Sequence, residues 1–334
     1  MQNWTLLAVI VAGAGLVACL GTRALIPLLR RGALLDRPNE RSSHALPTPR
    51  GGGIAVVGAI LLAWLALVGV GFVTRASLPI LFGAALLAAV SWLDDLRSLP
   101  PAARLIAQLA AVALAFLTQT SGGPAFQGWL PGWLDTIATV LVWVWFINLF
   151  NFMDGIDGLA SSEAAAIGLG LVLFAAIGVG RDPGLMALGA VTAAAAIGFL
   201  VWNWAPARIF LGDVGSVPLG YLLGFLLIEQ AARGYWKLAL ILPLYFLADA
   251  TITLLRRLAR GERVWQAHRE HFYQRAVQRG LGHAAVVQRV IVADLMLIGC
   301  AWAAENGWPI LGLLAAAATV ALLLAWLAHG GAKT

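Results

Sequence analysis

Apolar runs of membrane-spanning length alternate with short polar strings along the 334 residues. A helix needs about 20 apolar residues to cross the hydrocarbon core. Eleven runs approach that length, near 5–29, 53–71, 78–93, 102–119, 134–150, 159–179, 184–203, 215–230, 237–255, 284–304 and 308–328. The pattern predicts an all-α, polytopic integral membrane protein of about eleven transmembrane helices in one catalytic domain, residues 1–334. The first run is expected to remain as a span, because residues 1–4 hold no Lys or Arg and the run is too long for a signal core. Neither half mirrors the other in charge or in Gly and Pro placement, so no repeat is expected.

Composition sharpens this picture. The chain is 61% apolar and 11% charged, with a mean hydropathy of +0.86. Soluble chains run nearer about 45–50% and about 25%. That excludes a soluble domain, a disordered chain and a secreted disulfide framework. Cys19 and Cys300 each sit in an apolar run and read as buried thiols. The formal charge of +6 reports topology rather than nucleic-acid binding. Arg30 and Arg31 follow the first run and place its end in the cytoplasm, with the N-terminus outside and the C-terminus inside. The inside loops are then 30–52, 94–101, 151–158, 204–214 and 256–283. With their flanks and the tail they carry 16 of the 22 basic residues, against Arg75, Arg181, Arg233 and Lys237 outside.

The carboxylates crowd onto the same side. Asp36, Glu40, Asp94, Asp95, Asp154, Asp157, Asp213, Glu262 and Glu270 all fall in these loops. Acidic residues count little in topology, so chemistry at the cytoplasmic membrane surface is the expected cause. Asp94 and Asp95 end the third run, where adjacent carboxylates at about 4 Å repel by about 4 kcal/mol at an effective dielectric of 20. Either Arg97 and Arg104 or a divalent cation must offset that. In Asn148-Leu-Phe-Asn151-Phe-Met-Asp154-Gly155-Ile-Asp157-Gly158-Leu-Ala160, a helical register would put Asn151, Asp154 and Asp157 on one face. Two carboxylates, an amide and two glycines between apolar runs suit magnesium and phosphate, since hard cations take oxygen ligands. Phe210-Leu-Gly212-Asp213-Val-Gly215-Ser216 precedes the eighth run as an anion site would, with Asn203 and Arg208 upstream for a base or a phosphate. The loop at 256–283 holds His268, Arg269 and His271. Its histidines are three apart, not the four of a zinc-protease helix. This basic loop suits anionic lipid headgroups, closure over a diphosphate, or both. Arg50, beside three glycines, is a further phosphate ligand in an otherwise loop-like string that includes Asp36, Arg41 and His44. Asp249 and Asp294, inside apolar runs, read as structural, the first supporting Arg256 or Arg257 and the second pairing with Arg289.

In this order the strings resemble the polyprenyl-phosphate N-acetylhexosamine-1-phosphate transferases, and Ala267-His-Arg-Glu-His-Phe-Tyr-Gln-Arg275 looks like their O-antigen branch. The resemblance implies transfer of a sugar-1-phosphate from a UDP-N-acetylhexosamine to undecaprenyl phosphate, with release of UMP and dependence on Mg²⁺. It implies a bacterial inner-membrane enzyme with its site facing the cytoplasm, initiating O-antigen or other cell-envelope polysaccharides; a homodimer is left open. By the same resemblance, Asp213 is the main magnesium ligand and Asp94 and Asp95 position or deprotonate the lipid phosphate. Asp154 helps with metal or diphosphate, while Asp157, Asn203 and Phe210 hold the uridine. His268 and His271 touch the diphosphate or sugar, and Asn151, Gly155, Arg208, Arg50 and Arg269 line the substrates. A secondary transporter is the alternative, and it would carry its ionisable groups near the bilayer midplane.

Overall fold

The computed structural model describes residues 3–32, 34–36, 47–116, 123–179, 182–263, 266 and 268–330. Glu40, Arg41 and His44 lie outside the described residues. Helix occupies every predicted run: α1 (Trp4–Arg31), α2 (Gly53–Gly69), α3 (Leu78–Arg97), α4 (Pro101–Phe116), α5 (Gly132–Phe152), α6 (Leu159–Ala176), α7 (Pro183–Asn203) and α8 (Asp213–Ala232) come first. The ninth run is split into α9 (Trp236–Ile241) and α10 (Leu244–Ala259). Pro243 stands at the break, where it supplies no N–H and crowds the carbonyl four residues back. After α11 (Phe272–Gln278) come α12 (His283–Glu305) and α13 (Pro309–His329). Among the described residues, eight helices are long and apolar enough to cross a membrane: α1, α3, α5, α6, α7, α8, α12 and α13. α2 and α4 are apolar but shorter.

Two features of the polar loops escape hydropathy. β1 (Leu35–Asp36) pairs antiparallel with β2 (Thr48–Pro49), and α11 forms inside the 256–283 loop. Both are too short and too polar to leave a periodic signal.

α8 is the axis of the bundle. It is buried along most of its length and packs on α5, α3 and α2. α7 joins α6 to α1, and α12 pairs with α13. Large apolar side chains such as Leu62, Phe82, Leu141 and Leu322 remain exposed on the outer faces, as a lipid solvent requires. At one end of the bundle Arg233 pairs with Asp182, Lys237 pairs with Glu305, and Trp129, Trp133 and Trp308 stand exposed. Amphipathic rings of this kind favour the headgroup level. At the other end, the loops at 47–52, 153–158 and 204–212 gather at the ends of α3 and α8.

Both intramembrane aspartates take partners other than those expected. Asp249 on α10 binds His271 and the first amides of α11, whereas Arg257 pairs with Glu262. Asp294 on α12 faces Glu163 on α6, while Arg289 lies over the Trp326 ring. Sequence proximity suggested neighbours five to eight positions away along the same helix, but helix packing supplied nearer ones.

α2 and α8 cross without side chains between them. A Cβ added at Gly53 would stand 2.2 Å from the Gly215 Cα, whereas one added at Gly58 would meet nothing within 4 Å. Gly53→Ala is therefore expected to destabilise the fold by about 1–3 kcal/mol or more, the range for overpacking. Gly58→Ala should leave the melting temperature of the detergent-solubilised protein unchanged. Equal melting temperatures for the two variants would contradict the crossing.

Candidate active site

The C-terminal end of α3 and the N-terminal end of α8 are joined by Arg50. Its Nη2 lies 2.6 Å from Asp213 Oδ1 and 2.9 Å from Asp95 Oδ1. Asp95 Oδ2 accepts the main-chain N–H of Val214 at 3.3 Å, so a carboxylate of α3 sits on the first turn of α8, where the helix dipole favours it. Arg50 is itself fixed by a short parallel bridge to Phe210. The Phe210 N–H donates to Pro49, and the Phe210 carbonyl accepts from Gly51 and Gly52. Phe210 thus anchors the Arg50 strap through its main chain, with its ring half-buried.

Asp154 completes this group. Burial pushes its carboxyl well above the ordinary range; Arg50 opposes that shift, and the charges of Asp213, Asp95 and Asp157 add to it. Arg50 shows the reverse. Burial alone would lower its pKa, but Asp213, Asp95, Asp36 and Asp154 raise it, so the guanidinium stays charged.

Adjacent in sequence, Asp94 and Asp95 diverge in space. Asp94 accepts the Leu99 N–H at 2.6 Å and pairs with Arg104 of α4 at 3.2 Å. It lines a cavity of about 130 Å³ with Arg104, Gln108, Asn148, Asn151, Phe152 and Asp213, walled by Leu87, Val90, Leu105 and Val217. Gln108 and Asn148 bind each other across it, and Asn151 accepts the Ser216 hydroxyl at 2.6 Å. Gln108, four residues after Arg104 in an otherwise apolar helix, was the available sequence signal for this wall.

The expected shared face of Asp154 and Asp157 does not form. α5 ends at Phe152, and Gly158 adopts a φ of +80°, so the segment between them is a turn. Asp157 points away from the Arg50 group. Its Oδ2 accepts the Ala207 N–H at 3.0 Å and lies 3.2 Å from His283 Nδ1, a residue the sequence reading did not single out. Asn203 is likewise committed to the protein. Its Oδ1 accepts from Gly158 N–H and the Ser161 hydroxyl, and its Nδ2 donates to the Ile209 carbonyl. Both residues join the 153–158 turn to the 204–211 loop. Arg208 lies over the Trp202 ring at 5.5 Å.

Two of the seven arginines of the basic loop are paired with its two glutamates. Arg257 and Arg260 bind Glu262 and Glu270, and Arg257 also donates to the Gln266 and Arg263 carbonyls. Arg269 offers its carbonyl to Gln278. The His268 and His271 rings lie 4.9 Å apart, and the His271 ring lies 6.5 Å from Phe152 of the cavity wall. Burial, with His271 and Arg257, drives the pKa of His268 down to about 4 against the pull of Glu270 and Glu262. Its Nδ1 accepts the Glu270 N–H at 3.3 Å, which leaves the neutral ring an Nε2–H donor. Gly155 provides the notch for Tyr273, whose hydroxyl donates to the Phe152 carbonyl at 2.9 Å.

The donor set fits a hard divalent cation shared with phosphate. Asp95, Asp154 and Asp213 are three carboxylates around one guanidinium, and the buried Asp95 Oδ1 has only the Arg50 ion pair for a partner among the described residues. Among the described residues no three His, Cys, Asp or Glu side chains converge to enclose an ion by themselves. Magnesium is commonly held by one or two carboxylates with substrate phosphates and water in the remaining positions.

The profile of glycosyl transferase family 4 matches residues 77–231, which hold Asp94, Asp95, Asp154, Asp157 and Asp213. The chain is 33% identical to the phospho-N-acetylmuramoyl-pentapeptide-transferase of Mycobacterium avium, over 77% of this chain and 85% of that protein. It is 28% identical to a probable undecaprenyl-phosphate N-acetylglucosaminyl 1-phosphate transferase of Bacillus subtilis, over 86% and 81% of the two chains. The decaprenyl-phosphate N-acetylglucosaminephosphotransferase of Mycobacterium tuberculosis is also 28% identical, over 84% and 78%. None of these relatives is a transporter. The chain belongs to the polyprenyl-phosphate N-acetylhexosamine-1-phosphate transferases of glycosyl transferase family 4.

Proposed function

We propose that the protein transfers an N-acetylhexosamine-1-phosphate from a UDP-sugar to undecaprenyl phosphate, with Mg²⁺, at the cytoplasmic face of a bacterial inner membrane. The observation that carries this reading is the junction of two unlike half-sites. One is the polar group of Arg50, Asp95, Asp154 and Asp213; the other is the cavity whose walls are apolar and whose charged end is Asp94 and Arg104. A lipid phosphate matches the second, with its head on Arg104 and its first prenyl units against Leu87, Val90 and Leu105. A nucleotide diphosphate matches the first, and Asp213 lines both. The bias of basic residues toward the loops at this end supports a cytoplasmic site.

In this reading an oxygen of the acceptor phosphate forms the new bond to the β-phosphorus of the donor. The bond from that phosphorus to the bridging oxygen breaks, and UMP leaves with the bridging oxygen and its electron pair. Arg104 holds the acceptor phosphate and Asp94 fixes Arg104. Arg50 meets the donor diphosphate, and His268 donates a neutral Nε2–H to the diphosphate or sugar. Asp157 and Asn203 shape the uridine subsite by holding its loops. Mg²⁺ bound by Asp213 and Asp154 would neutralise the diphosphate and polarise its phosphoryl oxygens. O-antigen or another envelope polysaccharide is the destination this chemistry suits.

Purified protein in nanodiscs is expected to release UMP only when undecaprenyl phosphate, a UDP-N-acetylhexosamine and Mg²⁺ are all present. EDTA should stop the release. A panel of UDP-GlcNAc, UDP-QuiNAc, UDP-FucNAc and UDP-MurNAc-pentapeptide identifies the sugar, and UMP release without the lipid would refute the reaction. Asp213→Asn should lower kcat by about 100-fold or more while leaving expression intact, because the lost group acts on developing charge. Wild-type turnover in that variant would remove Asp213 from the metal site. His268→Asn should retain more activity than His268→Arg, since a neutral donor and not a cation stands there; the opposite ranking, measured as kcat/KM, would refute the neutral role.

A further inference from the structure

The His271 ring is held from one side by a carboxylate buried in the bundle. Asp249 is fully buried on α10, where four donors and one nitrogen of the His271 ring converge on it. Its Oδ1 lies 3.2 Å from His271 Nδ1, 3.0 Å from the Phe272 N–H and 3.4 Å from the Thr253 hydroxyl. Its Oδ2 accepts from the Tyr273 N–H and the Tyr245 hydroxyl, both at 3.3 Å. The main-chain N–H of Gln274 also approaches the His271 side chain, as in a capping box. A carboxylate at 3.2 Å repels a nitrogen lone pair far more strongly than an amide N–H attracts one, because a full charge opposes a dipole. Which ring nitrogen carries the proton is set by the partner of the other nitrogen.

We propose that Asp249 is a positioning residue of the transferase, fixing His271 as the Nδ1–H tautomer so that its Nε2 presents a lone pair on the ring edge away from α10. This deepens the transferase reading and rests on it. His268 and His271 then carry opposite polarity at Nε2: the first donates and the second accepts. The His271 ring lies 6.5 Å from Phe152, which lines the cavity that holds Asp94 and Asp213. His271 accordingly accepts a hydrogen bond at Nε2 from a hydroxyl of the sugar and so orients it, while Asp249 acts only through His271. An asparagine at this position has one acceptor oxygen for donors that now use two, so either the imidazole or the α11 amides must lose a partner.

The test uses the full-length protein in nanodiscs with ¹⁵N-histidine labelling, and the His271→Gln variant identifies the His271 signals among the five histidines. The wild-type spectrum is expected to show the Nδ1–H tautomer. An Nε2–H tautomer overturns the inference whether or not any variant folds. In kinetics, Asp249→Asn is expected to lower kcat by about 10- to 100-fold with KM within about twofold, the scale for losing a residue that orients a histidine. In the His271→Ala background the same substitution should cost nothing further. Wild-type kcat in His271→Ala, or a full additive loss in the double variant, overturns the coupling, because a purely structural Asp249 would give that additivity. Failure of the transferase reading looks different: the wild type is silent with every UDP-sugar while the tautomer stays measurable.

Discussion

One guanidinium sets the arrangement on which the site depends. Arg50 stands between Asp95 and Asp213, carboxylates from the end of α3 and the start of α8. Two such charges at about 4 Å repel by about 4 kcal/mol at an effective dielectric of 20. With Asp154 in the same field, the helices that carry them would be driven apart without a cation between them. The first amides of α8 give further relief, since Asp95 accepts one of them. The acids therefore converge because one side chain and one helix terminus absorb their charge. The strap that delivers Arg50 is held by main-chain bonds to Phe210 rather than by chance contact.

Around this centre the polar residues divide into those that face substrate space and those that hold the loops. Asp94, Arg104, Gln108, Asn148 and Asn151 line a cavity, and the acids around Arg50 adjoin it through Asp213. Asp157, Asn203, Ser161 and His283 are turned inward and knit the 153–158 turn to its neighbours. The same short string thus sends Asp154 to the Arg50 group and Asp157, three residues later, to the neighbouring loop. Tyr273 links α11 to that string through the Phe152 carbonyl, so the histidine segment is tied to the turn as well.

The sequence made the gross architecture legible, because lipid imposes a simple rule: each apolar run becomes a helix whose backbone satisfies itself. The loops that carry Arg50, Asp95, Asp154 and Asp213 were legible as well, since carboxylates at lipid boundaries are costly without a purpose. Partner choice was not legible. Asp249 sits seven residues before Arg256 yet binds a histidine 22 positions on, and Asp294 ignores Arg289 for a glutamate of α6. Those choices are made by helix packing, which a one-dimensional reading does not contain. The diverging directions of Asp154 and Asp157 were hidden for a related reason. Helical spacing was a fair expectation for 151–157, and the turn at its glycines overrode it.

The α2–α8 crossing has a mechanical meaning. Gly53 lies three residues after Arg50, and Gly215 lies two after Asp213, so the strands of chain that bear the ion pair touch directly at their bases. No compressible side chain separates them. The two walls that carry Arg50 and Asp213 are in effect cast in one piece, so neither can move without carrying the other.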